Sequence, residues 1–473
     1  MNLQPTHCKQ YLKAALKNEP LRQAVDKATR TALRKRADKV RRIPEWEDLR
    51  RQAHDIKRYA MLHLDELLQS FEQQAQKNGA QIHWAVDAQQ AQQMILDIAR
   101  QNNVRSVVKS KSLTTEEIHL NAFLCRHGIK TTETDLGEYI VQLLDQIPSH
   151  LTAPALHLSR REIGALFEEK LGVEYTEDPE ELLSIARARL RDTFLAADMG
   201  ISGANFAVAE TGSLVILENE ANARLSIDLP NIHVAVVGIE KVIPTLQDLA
   251  VFLRLLPPSA TGQKQTVYVN LVSGPLVHVR ERPSRQVHVI ILDNGRSNIL
   301  ADPQLYETLF CIRCGACLNA CPVYQQVGGH AYGWVYMGPI GATLIPQYLG
   351  KQKGRYAPFL SSLCGACFEA CPVRINIPHH LLKLRHQVVQ TGHTGIIEKM
   401  GMKIWSLTAR YPLIYRWVTR IPAVLQRLYV KPFPVPGYTK HRSIATFDRY
   451  GFRKRYKQFQ ENEKKPTIQN QAL

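Results

Sequence analysis

Seven of the nine cysteines fall between residues 311 and 371, and only Cys8 and Cys125 lie outside that window. The run C-I-R-C-G-A-C-L-N-A-C-P sets Cys311, Cys314, Cys317 and Cys321 ahead of Pro322. This is the C-x2-C-x2-C-x3-C-P order of cluster-binding ferredoxins. Three thiolates two residues apart on a tight loop reach three iron corners of one cubane. Gly315 and Ala316 keep side-chain bulk away from it, the fourth Cys points elsewhere, and Pro322 ends the local backbone pairing. A zinc site wants two pairs of ligands and has no use for a third closely spaced thiol. Iron–sulfur chemistry is therefore expected, and clustered thiols read as metal ligands rather than disulfides.

A second run, S-S-L-C-G-A-C-F-E-A-C-P, repeats the first, with Cys364, Cys367, Cys371 and Pro372 in matching positions and Ser361 in the slot of the leading Cys. Where two such runs occur, the fourth Cys of each serves the other cluster. Cluster 1 is then expected on Cys311, Cys314, Cys317 and Cys371, and cluster 2 on Cys321, Cys364 and Cys367 alone. The fourth iron of cluster 2 is open, is held by Ser361 or an exogenous ligand, or is absent from a three-iron cluster. Alkoxide ligation is uncommon, and Ser361 as a mere filler is the plainer reading.

The elements that must position these thiols are legible in outline. Forty-two residues separate Cys321 from Cys364, including G-W-V-Y-M-G-P-I-G-A at 333–342, too long an insert for a compact small ferredoxin. With helical flanks expected at Ala301–Leu309 and His379–Gln390, the spacing predicts a mostly helical two-cluster ferredoxin-type module, relaying electrons one at a time. Residues 8–78 carry apolar positions at helical spacing amid Lys, Arg and Gln, Ile56, Ala60, Leu64, Leu67 and Leu68 among them, and predict amphipathic helices. His63 there reads as a face residue rather than a ligand.

From about 80 to 297, short β runs alternate with helical stretches, as an α/β domain with a largely parallel sheet requires. Strands are expected at Val104–Lys109, Ile129–Glu133, Asn205–Ala209, Leu214–Glu218, His233–Gly238, Thr266–Leu271 and Val287–Leu292. Helices are expected at Thr115–Arg126, Leu136–Leu144, Pro179–Ala197 and Leu246–Leu255. Ligands of such sheets bind outside the carboxyl ends of strands, where three polar stretches lie. They are Lys109, Ser110, Lys111 and Ser112 opening a helix; Glu133, Asp135 and Glu138; and Glu210, Thr211, Gly212 and Ser213, followed by Asn219, Glu220, Asn222 and Arg224. Lys109 and Glu210 are the preferred pocket residues. The plainer readings are a capping box at Ser-Leu-Thr-Thr-Glu-Glu and a hairpin turn at Glu-Thr-Gly-Ser. No G-x-G-x-x-G follows a strand and no Walker loop occurs, so neither Rossmann cofactor binding nor ATP hydrolysis is supported.

The chain has 473 residues, 45% of them hydrophobic and 22% charged, with a net charge of +17, enough for roughly two to four domains and not a disordered composition. Residues 1–60 carry a net +9, residues 401–473 a net +12, and the body between them −4. The ends read as docking surfaces for partner subunits rather than a nucleic-acid footprint, since no nucleic-acid-binding module accompanies them. In the tail, Trp405, Tyr411, Tyr415 and Trp417 interleave with Arg410, Arg416 and Arg420. Packing on the cluster module or a partner is favoured there over peripheral membrane contact, because Pro412 and Pro422 should break a long helix. No run of 18 apolar residues and no apolar N-terminal signal core occur, so a cytoplasmic chain is expected.

K-S-K-S-L-T-T-E-E-I-H-L, E-T-D-L-G-E-Y-I, A-E-T-G-S-L-V and the two Cys runs around Y-G-W-V-Y-M-G-P-I-G-A follow one another in an order that resembles the lactate utilisation protein B family over nearly the whole chain. The resemblance implies an N-terminal helical region (1–69) and an α/β LUD domain (70–297), similar to the CoA-transferase/ribose-isomerase-like superfamily. A helical ferredoxin-type module (298–390) and the family's own C-terminal region (391–473) follow. It implies two [4Fe-4S] clusters on the seven cysteines, so that three-thiolate ligation of cluster 2 is intended. It further implies action with lactate utilisation proteins A and C in oxidising L-lactate to pyruvate, and an electron acceptor of unknown identity. Two functions remain distinct. In one, the chain is the electron-transfer subunit. In the other, it is itself the dehydrogenase, with the LUD pocket or the open iron of cluster 2 binding the 2-hydroxy acid and Arg or Lys clamping its carboxylate. The lack of flavin and nicotinamide motifs favours the first.

Overall fold

A computed structural model describes residues 3–275, 285–393, 395–428 and 451–463. The chain divides into two compact units, Met1–His393 and Thr394–Leu473.

Within the first unit, ten strands form two sheets. The strands are β1 (Gln81–Ala85), β2 (Ser106–Lys109), β3 (Lys130–Glu133), β4 (Met199–Ser202), β5 (Phe206–Val208), β6 (Ser213–Glu218), β7 (Ile232–Gly238), β8 (Val242–Ile243), β9 (Tyr268–Val272) and β10 (Gln286–Leu292). The larger sheet runs β1-β10-β7-β4-β2-β3, and every pairing in it is parallel. Its central strands are apolar on both faces, as a sheet covered on both sides must be. Ala235 and Val237 of β7 with Val287, Val289 and Ile291 of β10 face one core. Their alternates Ile232, Val234, Val236, Ile290 and Leu292 face another, built with the helix Ala88–Gln101. The smaller sheet, β8-β5-β6-β9, is mixed, with β5/β6 and β6/β9 antiparallel.

Each of the seven expected strands is present, with ends shifted by a residue or two. β1, β4 and β8 were not expected; each is short, and β4 reads Met-Gly-Ile-Ser, with little β-branched character to mark it. The helix expected over Thr115–Arg126 is two helices, Leu113–Glu117 and Leu120–Arg126, because His119 between them takes a left-handed φ of 49°. The flank expected at Ala301–Leu309 is turns followed by a 3-10 helix, Tyr306–Phe310. The other flank is a true helix, Ile377–Gln390, whose Asn376 side chain accepts the His379 N–H. Residues 209–212 form the β5–β6 hairpin turn. Gly212 is needed there: its φ is +65°, and a Cβ would fall 2.2 Å from the backbone N of Ala75.

The N-terminal helices Cys8–Lys17, Glu19–Val40, Trp46–Leu62 and Leu64–Lys77 share one buried cluster with the smaller sheet, one face of the larger sheet and the cysteine-bearing segment. Their cations hold that segment directly. Arg50 donates to the carbonyls of Cys371 (2.9 Å) and Phe368 (3.0 Å), Arg36 to that of Ala370 (3.0 Å), and Arg22 to Gln326 Oε1 (2.7 Å). The basic N-terminal end, expected to face a partner subunit, thus spends several of its charges on this chain's own carbonyls.

The second unit contains the helices Ile396–Arg410, Pro412–Leu428 and Gly451–Glu463. Pro412 starts a helix rather than merely ending one, as its fixed φ permits in a first turn, and that helix runs on through Pro422. Trp405, Tyr411, Tyr415 and Trp417 are exposed, as are Arg410, Arg416 and Arg420. The cations of 429–450 and 464–473 lie outside the described residues. Among the described residues, no helix is long and apolar enough to cross a membrane.

Candidate functional site

The two cysteine runs fold alike. Each has a non-glycine residue at positive φ (Arg313, 59°; Leu363, 56°), then a left-handed Gly (Gly315, 75°; Gly365, 87°), then a five-residue helix, Ala316–Ala320 or Ala366–Ala370. In the first run this sharp turn brings Cys311, Cys314 and Cys317 to one cavity. Cys311, Cys314, Cys317 and, from the other run, Cys371 line one small cavity whose remaining walls include Leu151, Ile312, Ile340, Ile375 and Ile377. Backbone N–H groups point at the sulfurs, Arg313 N to Cys311 Sγ (3.4 Å), Ile375 N to Cys371 Sγ (3.4 Å) and Tyr324 N to Cys321 Sγ (3.5 Å). Burial above all, with Cys311 adding to it, pushes the Cys371 thiol up to about 11. Burial followed by Cys321 and Cys364 pushes Cys367 up to about 12. Cys364 is exposed, and the N–H of Ala366 leads the groups that lower its thiol pKa.

The donors fit an iron–sulfur group. All are thiols, the walls are apolar, and N–H donors offset the charge that thiolates would carry. Among the described residues, no group of three or more Cys, His, Asp or Glu side chains is arranged to hold a single metal ion. Ser361 Oγ accepts the Leu363 N–H at 3.1 Å, the same place in the turn that Cys311 Sγ takes with Arg313.

Beside the cysteine cavity, at the carboxyl ends of the parallel strands, lies a pocket of about 280 Å³. It gathers all three polar stretches of the sequence: Ser110, Lys111 and Ser112; Asp135; and Asn219, Glu220 and Asn222. It does not take the two preferred residues. Lys109 is buried away from it, paired with Glu133 (2.6 Å) and Glu116 (3.0 Å). Burial alone would lower its pKa, but Glu133, Glu116 and Glu138 outweigh that and push it up. Glu210 accepts the Leu246 N–H at 2.9 Å at the start of the helix Leu246–Ala260. Of the remaining candidates, Thr211 and Ser213 bond each other at the hairpin (2.9 Å), and Arg224 pairs with Asp228. Ser112 caps Leu113–Glu117, its Oγ accepting the Thr115 N–H, but among the described residues no side chain returns to the Ser112 N–H, so the stretch is a simple cap and not the expected capping box.

Among the pocket residues that the sequence did not single out are Lys241, Arg313 and Tyr336. Arg313 sits in the turn between Cys311 and Cys314, with its guanidinium 4.5 Å from the Tyr336 ring centroid and 3.5 Å from Glu240. Glu240 in turn binds Arg296, which is fully buried and grips Glu117 with two bonds of 2.9 Å. Tyr336 Oη donates to the same Glu117 at 2.7 Å. Burial would raise the Glu240 carboxyl, but Arg296, Lys241 and Arg313 overcome it and hold it at about 2. Lys241 is lowered to about 8, by burial first, with Glu240 opposing and Arg313 reinforcing. A signal existed for Lys241: Ile-Glu-Lys follows directly on an apolar parallel strand, β7, at the end where ligands bind. Nothing in a linear reading brings Arg313 to that strand end.

A family model described as the LUD domain matches residues 68–292, and one described as a 4Fe-4S dicluster domain matches 307–375. "Lactate utilization protein B" of Shouchella clausii is 39% identical over 92% of this chain and 94% of its own length. The proteins of that name from Bacillus licheniformis and Bacillus subtilis are 39% and 38% identical, each over 94% of this chain and 95% of their own. A DUF162 family protein of Deinococcus radiodurans matches 48% of this chain and 98% of its own at 14% identity and a TM-score of 0.27, too weak a likeness to bear on the fold.

Proposed function

The chain belongs to the lactate utilisation protein B family, and we propose that it serves L-lactate oxidation to pyruvate as an electron-transfer subunit with two [4Fe-4S] clusters. Cys311, Cys314, Cys317 and Cys371 would hold cluster 1, and Cys321, Cys364 and Cys367 cluster 2. The observation that carries this reading is the cavity to which Cys371, 50 or more residues away in sequence, joins the first three thiols of the other run. A bound [4Fe-4S] cluster supplies one-electron storage and transfer. The chain's own residues shape the path. Isoleucines and Leu151 keep water from the inner thiols, while exposed Cys364 brings the outer group to the surface, where a partner exchanges electrons. Lactate utilisation proteins A and C are the partners proposed, with the acceptor at the Cys364 end. The LUD, cluster and C-terminal boundaries near 70, 298 and 391 belong to this reading, as does a cytoplasmic location.

Anaerobic purification with iron and sulfide analysis and electron paramagnetic resonance, without and with L-lactate, tests it. About eight irons per chain and two interacting signals are expected. Reduction should require the partner proteins. Bound zinc in place of iron would sink the proposal, and reduction of the isolated chain by lactate would make it the dehydrogenase instead.

A further inference from the structure

Two cations in the pocket lack the acceptors that buried charges require. Lys241 is 7% exposed, and no carboxylate lies within ion-pairing distance of it among the described residues. Arg313 is 9% exposed; one of its terminal nitrogens reaches Glu240 weakly at 3.5 Å, and the other, Nη1, is buried with no partner at all. Among the described residues, none of the acids that line the pocket pairs with Lys241 or Arg313, and each accepts a backbone N–H instead. Glu218 accepts from the N–H groups of Ala223 (2.7 Å) and Arg224 (2.8 Å), Asp135 from Glu138 N (3.1 Å), and Glu220 from Leu136 N (3.3 Å). The unmet need in this cavity is for an anion.

We propose that the pocket binds a small 2-hydroxy or 2-oxo acid, its carboxylate held between Lys241 and Arg313. Lys241 and Arg313 both line the cavity, and a guanidinium suits a carboxylate's two oxygens. The hydroxyl of Ser110, a buried residue of the same lining whose side chain has no hydrogen-bond partner among the described residues, meets the oxygen on C2. The choice of a 2-substituted acid rests on the function proposed above; the anion site does not. Because Arg313 lies in the turn between Cys311 and Cys314, its charge favours the reduced, more negative state of whatever those thiols hold. An anion on Arg313 cancels that effect, so binding and reduction oppose each other, and the linkage is reciprocal.

Anaerobic calorimetry on the full chain with pyruvate, acetate and phosphate tests the site, with a redox titration followed by electron paramagnetic resonance as the second readout. Pyruvate should bind, and Lys241→Gln should weaken it at least tenfold with iron content unchanged, while Lys241→Arg restores it. Saturating pyruvate should lower the potential of the cluster beside Arg313, by about 59 mV if it binds the oxidised state tenfold more tightly. Absence of pyruvate binding, or binding indifferent to Lys241→Gln, would overturn the inference. Binding without a shift would remove Arg313 from the anion and overturn it too. Acetate or phosphate binding as tightly as pyruvate would overturn the substrate class. Pyruvate binding through Lys241 in an anaerobically purified chain that holds zinc in place of iron would uphold the pocket while refuting the relay.

Discussion

At the scale of single residues, the repeat of the two turns gives Ser361 a defined place. Its Oγ accepts an N–H from two residues on, as Cys311 Sγ does, and Leu363 and Arg313 share nearly the same positive φ. A thiol substituted there would stand where the first run carries a ligand. Ser361→Cys should therefore change the resonance spectrum of the three-thiolate cluster and prolong its survival in air several-fold, with iron content unchanged. An identical spectrum and identical air sensitivity would show that position 361 does not face the open corner. Lys109 and Glu210 teach the opposite lesson. Both are polar, at strand ends and in suggestive company, yet one neutralises buried carboxylates and the other serves a helix start.

At the scale of elements, the strands of the parallel sheet carry histidines that burial keeps neutral. His233 of β7 bonds Ser202 of β4 at 2.8 Å, and His288 of β10 bonds His83 of β1 at 3.0 Å. Burial first, then Arg285 and His288, lowers His233 to about 3; burial and His83 lower His288 to about 4. Outside the sheet, burial and then Lys111 lower His150, bonded to Asn319, to about 3. Each folded value lies below the unfolded one of about 6.5, so the unfolded chain binds more protons between the two and stability rises with pH across that window. Stability is fully present above about pH 6.5 and falls as pH drops toward 4, by up to about 1.4 kcal/mol per pH unit for each histidine. Urea unfolding from pH 8 to 5 should show this slope, and His233→Gln should remove about one proton's share of it. A flat profile would mean these histidines are protonated in the folded chain.

At the scale of the molecule, the cysteine segment does not have a core of its own. Its buried residues, from Leu309 to Leu381, belong to one cluster with the N-terminal helices, the smaller sheet and a face of the larger sheet. The buried Glu117–Arg296–Glu240 chain of charges, which Tyr336 of the cysteine segment joins at Glu117, ties the same parts together, and breaking such a pair costs about 3–5 kcal/mol. Removing iron with a chelator should therefore lower the melting temperature of the first unit as a whole, in one calorimetric transition. A separate low-temperature transition, leaving the rest unmoved, would show that the cluster segment folds independently.

The sequence by itself determined the two thiol runs, the parallel sheet and the helical N-terminal region, because spacing and periodicity are properties of neighbouring residues. Repeated C-x2-C-x3-C-P runs mark a 4Fe-4S dicluster domain wherever the chain takes them, and apolar strands between helices admit few sheets. The tertiary structure alone decided which polar residues face a cavity and which are consumed. Lys241 and Arg313 lie 72 positions apart, and only the packing of β7's end against the cysteine turn makes them neighbours. Whether a charge is spare depends on the acceptors that folding brings within 4 Å of it, and those come from segments distant in sequence. For the same reason the basic N-terminal end, an apparent docking surface when counted as charge, proved to carry arginines that clasp the carbonyls of residues 368–371.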